Sequence, residues 1–285
     1  MGLQTLSRPC HNSRDRLGSL GYSFTKVSRK AAFFSVEGWA VTKHRYRAWF
    51  LLACLAATSG CAQFAVQPPT PAKNLDVSGM WEPRPGEHFY IILFGSQSTP
   101  KVPRFTHSWG TLVHTTDQGE GRPPKIESHT ISWMPANLKV QPWHFHVQKG
   151  TNLSLQETLL FAMDNRERIS EWGPYECRPR LYYRALVQKE FLESGRVGYQ
   201  CIDDVGEAAR TGDGCDCIHA MTDMDPVYSR ARYPLSRFGN TATRFVVREL
   251  RRRDILIRSD QTHDWLNTSL GLEPYPIVHR QYTGW

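Results

Sequence analysis

The chain has 285 residues, a formal net charge of +8, 40% hydrophobic residues and seven cysteines, a length that suits one large domain or two modest ones. The charge is unevenly placed: residues 1–61 hold nine Lys+Arg against two Asp+Glu, and the remainder holds 26 against 25. A nearly neutral body with no basic stripe and interleaved aromatics excludes nucleic acid as a partner.

The N-terminal excess has another explanation. Residues 42–47 form a basic segment, and 48–57 an apolar run of ten, too short to span a bilayer. Thr58-Ser59-Gly60-Cys61 then resembles a bacterial lipoprotein box, with Thr58 where leucine is most frequent. The expectation is a signal peptide over 41–61, with Cys61 lipidated and holding the protein to the periplasmic face of a membrane. The alternative is ordinary cleavage after Ala62 and secretion. Residues 1–40 are expected to lie outside the true protein, with translation starting at Val41, or to be disordered. Residues 62–79, with Pro68, Pro69 and Pro71, read as an extended tether, and 80–285 as a single domain.

Residues 88–94 are a continuous apolar run ending at Gly95, the pattern of a strand covered on both faces in mid-sheet. Residues 106–114 and 125–133 read as two further strands, joined through Gly119, Gly121, Pro123 and Pro124 and ended by Pro135. Residues 140–147 alternate, with Trp143 and Phe145 on one side and His144 and His146 on the other, which predicts another strand. Ser154-Leu155-Gln156-Glu157 is a capping box opening a short helix to Met163. Trp172, Gly173 and Pro174 read as loop. Residues 179–193 form a helix, with proline in its first turn, an apolar stripe through Leu181, Ala185, Leu186 and Phe191, and Gly195 as its stop. A brief strand over 197–202, a helix over 241–252 with a solvated arginine end, a strand over 255–258 and a helix over 262–270 complete the reading.

Chemistry concentrates in Gly212-Asp213-Gly214-Cys215-Asp216-Cys217-Ile218-His219. Asp216 is a good N-cap, which places Cys217 in a first helical turn, where the dipole favours a thiolate. Three readings stay open. Export leaves Cys177, Cys201, Cys215 and Cys217, enough for two disulfides, or for one such as Cys177–Cys201 with Cys217 free. Cys215, Cys217 and His219, or His144 with His146, offer zinc ligands. Cys217 as a nucleophile needs a base from another element, because His219 two residues on points elsewhere. His107 is that candidate, with Trp109 on its face and His114 on the opposite one. This reading requires no metal and no cofactor.

A histidine opening a sheet strand, a polar group on a neighbouring strand, and later a cysteine opening a helix in a Cys-x-His-Ala setting resemble the circularly permuted papain-like families. These include NlpC-type cell-wall peptidases and relatives of lecithin:retinol acyltransferase. Their nucleophile region commonly reads Asn-Cys-x-His, against Asp216-Cys217-Ile218-His219 here, and the likeness covers roughly residues 88–224. The resemblance implies an α+β fold with a mainly antiparallel sheet and helices packed on it, Cys217 as nucleophile and His107 as base. It also implies a third polar residue. His129 is the candidate and Ser132 the fallback, since a hairpin centred near Gly121 leaves His129 about 20 Å along the sheet, and only one centred near Gln118 brings the imidazoles together. The implied function is a hydrolase or acyltransferase at the membrane surface, acting on a peptidoglycan peptide, protein amide or lipid ester. The alternative is a non-catalytic envelope lipoprotein with disulfide-bonded or zinc-bound cysteines.

Overall fold

The first described element is α1 (Pro71–Asn74), whose Ala72 is fully buried and whose Lys73 Nζ donates to Asp223 at 3.0 Å. The computed structural model describes residues 70–225 and 238–282, so the signal segment expected over 41–61 and Cys61 lie outside the described residues. The expected tether therefore stops short of 79. A buried alanine and a half-buried lysine paired to a buried carboxylate belong to a docked segment, not an extended one.

β1 (Glu87–Gln97) has no polar face. Phe89, Ile91 and Leu93 enter one apolar cluster, and Tyr90, Ile92 and Phe94 enter another. Such a strand must be covered above and below. It is the middle one of five. β1 pairs antiparallel with β2 (Thr106–Thr116), which pairs antiparallel with β3 (Lys125–Ile131). Past Ser132 the chain leaves the sheet and makes a separate antiparallel pair, β4 (Trp133–Pro135) with β5 (Gly150–Asn152).

The other neighbour of β1 is β6 (Arg168–Glu176), where the sequence suggested a loop. Gly173 and Pro174 are tolerated inside this strand because the pairing with β1 shifts register between Ile91 and Leu93. Gly173 has φ +104°, and a Cβ there would lie 2.8 Å from the Ile91 carbonyl oxygen, so only glycine fits the bulge. β7 (Gly198–Tyr199) and β8 (Gly214–Cys215) form a short parallel pair, and β9 (Ile277–Arg280) closes the main sheet parallel to β6. The protein is α+β with a mixed sheet, antiparallel at every junction except the last.

Helices cover both faces. On the Phe89 side lie α1, Leu181 and Ala185 of α3 (Pro179–Glu193), Met221 of α5 (Cys217–Thr222), and Val246 and Leu250 of α6 (Asn240–Arg252). On the Tyr90 side lie Leu155 and Leu159 of α2 (Leu155–Asp164), opened by the expected Ser154 capping box, and Leu266 of α7 (Trp265–Ser269). The remaining helix, α4 (Gly206–Thr211), lies between β7 and β8 in the chain. Two expected strands are absent. Residues 140–147 are loop with Trp143 exposed, and of 255–258 only an isolated bridge, Cys177 to Leu256, remains. Alternation alone does not make a strand where no neighbour offers a free edge. Among the described residues no helix is long and apolar enough to cross a membrane.

α5 approaches the sheet over Gly110 of β2, where an added Cβ would lie 3.1 Å from Met221 Sδ and 3.2 Å from Leu93 Cδ2. Gly110→Val should overpack this contact and lower unfolding free energy by about 1–3 kcal/mol in a denaturant titration. An unchanged midpoint would show that α5 does not sit so close.

Candidate functional site around Cys217

Gly212, left-handed at φ 72°, ends α4 and turns the chain into β8. Asp216 then caps α5 as its side-chain type predicts: its Oδ1 accepts from the N–H of Ile218 at 2.8 Å and of His219 at 2.7 Å. A second carboxylate supports the first. Asp203 Oδ2 accepts the Asp216 N–H at 3.1 Å, and Asp203 Oδ1 lies 2.6 Å from His219 Nδ1. Asp203 and His219 are both almost fully buried. Their short contact fixes the ring and binds α5 to the loop after β7. Sequence reasoning missed Asp203, because only the fold brings residue 203 beside 219.

Cys217 is half-buried at the head of α5. The backbone N–H groups of Ser108 and of Cys217 itself turn toward its sulfur and favour the anion. Burial, the Asp216 carboxylate and Cys201 outweigh them and hold the thiol well above its ordinary pKa. Tyr199 bonds Cys201, whose thiol burial pushes up to about 12. The parallel pairing sets Gly198 opposite Gly214 and Tyr199 opposite Cys215. The pairing ends there, and Cys201, in the bend that follows, lies near enough to Cys217 to act on its thiol.

His107 belongs to the other layer. It stacks on Trp109 at 5.4 Å between ring centroids, and its Nε2 lies 2.9 Å from Ser132 Oγ, to which Thr158 of α2 donates at 2.8 Å. α5, by contrast, packs on the Ser108 and Gly110 side of β2. From β2 the Ser108 N–H turns toward the Cys217 sulfur, and among the described residues no hydrogen bond joins that sulfur to an imidazole. Burial lowers the His107 pKa to about 3, which makes it a poor proton acceptor. The structure therefore brings together His107 and Ser132, the fallback polar residue, but not His107 and Cys217.

His129 sits opposite Leu112, five positions from His107 and so about 17 Å along β2. Its ring edges onto Tyr182 at 5.8 Å. His114, on the opposite side of β2 from His107 as expected, stacks on Phe89. Of the zinc candidates, His144 and His146 keep their rings 5.6 Å apart on a loop, and the three-residue donor set gathered among the described residues is instead Asp203, Asp204 and His219, within 4.8 Å of one another. Comparison of the chain with protein-family models, with curated proteins and with solved structures found no match.

The His107 environment carries a pH signature. As pH falls, the unfolded chain protonates this histidine from about 6.5 while the folded one waits until about 3, so the folded state loses stability across that window. Buried Glu167 and Glu171, whose pKa values are raised by burial, act in the opposite sense, so the test is a comparison of variants. His107→Gln should show a shallower loss of unfolding free energy between pH 6.5 and 3, by up to about 1.4 kcal/mol per unit. Parallel curves would mean the ring is solvated.

Proposed function

We propose that this domain is an envelope binding module whose clustered thiols are shielded, rather than a Cys–His hydrolase. One observation carries the reading: the Cys217 sulfur faces the Ser108 amide and its acidic neighbour, while His107 is tied to Ser132 and Thr158 in the opposite layer. A cysteine hydrolase needs a base within hydrogen-bond reach of its thiol. Burial first, and then the negative Asp216 carboxylate, keep the proton on sulfur instead. In an oxidising compartment the nearness of Cys201 to Cys217 also suits a disulfide between them, formed by exchange with a low-molecular-weight disulfide and releasing its two thiols.

One observation favours the hydrolase or acyltransferase reading. The N–H groups of Ser108 and of Cys217 itself converge near the sulfur, as an oxyanion site would require. Membrane attachment through Cys61 is part of both proposals, and a peptide, amide or lipid-ester substrate belongs to the hydrolase or acyltransferase reading alone.

Iodoacetamide labelling read by peptide mass spectrometry separates the two. In reduced, folded protein at pH 7, Cys217 should label at least tenfold more slowly than in the unfolded chain, and glutathione disulfide treatment should yield a Cys201–Cys217 linked peptide. Fast, selective labelling of Cys217 would overturn the binding-module reading.

A further inference from the structure

We infer that the cavity between the first turns of α6 and strand β9 is a binding site for an oxyanion, a phosphate or carboxylate group carried on a flat apolar body. The cavity encloses about 570 Å³, within the range of small-ligand sites. Among the described residues its walls hold Arg244, Arg248, Arg280 and His279 and no carboxylate, and Trp172 and Tyr282 are the aromatic members of the lining.

Arg244 and Arg248 share one face of α6, four residues apart, so the helix presents both guanidinium groups to the same space. Arg280 comes from the parallel edge strand opposite. Its Nε donates to Ser170 Oγ at 2.8 Å, which orients the fork, and its guanidinium lies 6.0 Å from the Trp172 ring. Asn240 Nδ2 donates to the same Ser170 oxygen at 3.0 Å, so the cavity floor is braced from both sides. Among the described residues no carboxylate pairs with Arg280. Arg248 does have one, Glu249 at 3.2 Å, but that carboxylate also serves Arg252 at 3.3 Å. Two guanidinium groups sharing one carboxylate leave a net positive charge beside the cavity. His279 lies 3.5 Å from buried Glu171, beneath the wall.

A fixed guanidinium fork facing a second one across a cavity of this size matches the bidentate geometry of phosphate and carboxylate. Trp172 within cation–π reach of Arg280, with Tyr282 also in the lining, suits a planar group attached to that anion. The site is independent of how Cys217 behaves. It gives the binding reading a ligand class, and its failure would leave the labelling result untouched.

The test is calorimetric titration of the whole chain with phenyl phosphate, with phenol as the uncharged control. The expected result is saturable binding that weakens with added salt, at least tenfold weaker in Arg280→Gln and in Arg248→Gln, and unchanged in Arg122→Gln, at an exposed position beyond the opposite end of β1 and β2. Vesicles of phosphatidylglycerol and of phosphatidylcholine separate the sources: Arg280-dependent binding to the anionic vesicles assigns the group to a lipid headgroup, and binding to phenyl phosphate alone assigns it to a free ligand. Absence of saturable binding to either probe, or equal binding by Arg280→Gln with its fold retained by circular dichroism, would overturn the inference.

Discussion

In a strand covered on both faces, adjacent side chains belong to different layers, and β2 imposes that constraint on everything around Cys217. Trp109 and His107 are committed to the layer beneath α2. Ser108 and Gly110 are committed to the layer of α5 and α6. The close approach of α5 depends on Gly110 having no side chain, so the helix and the imidazole cannot share a side of the strand. The histidine closest in sequence to the helix contact is thereby excluded from it, and a serine amide meets the sulfur in its place.

The polar groups around α5 follow from the same geometry. A six-residue helix packed on a sheet exposes little backbone to water, so its first N–H groups must be satisfied locally, and Asp216 does this. Its own N–H needs an acceptor in turn, which Asp203 supplies while also holding His219. The arrangement positions Cys217 firmly. It also sets the Asp216 carboxylate beside the buried thiol, so the feature that makes the helix start orderly works against a thiolate. Cysteine at a helix N-terminus is activated only when the cap does not return the negative charge that the dipole removes.

How much was legible in the sequence varied with how local the cause was. The β1 run, the Ser154 box, the proline-led α3 and the Asp216 cap are set by residues within a turn or two of one another. The hairpin register was readable too: pairing of Thr116 with Lys125 puts His129 opposite Leu112, far from His107, as a turn near Gly121 requires. What escaped were features set by distant partners. β6 hid behind Gly173 and Pro174, because a bulge against β1 is what makes that pair acceptable in a strand. Residues 140–147 alternate correctly yet find no strand to join. Asp203 lies 16 residues from the His219 ring it holds, and Arg248 and Arg280, which line the α6 cavity from two elements, are farther apart still in the chain. The face of β2 on which α5 would settle was the decisive unknown, and alternation could state the choice without making it.

The measurement that tests this account most directly is the pH dependence of Cys217 alkylation in the wild-type protein and in His107→Gln. Separate layers require superimposable profiles, with reactivity rising only in the alkaline range where the shielded thiol ionises. A neutral-pH limb present in the wild type and abolished by His107→Gln would show that imidazole and sulfur are coupled, and would contradict the placement on which the account rests.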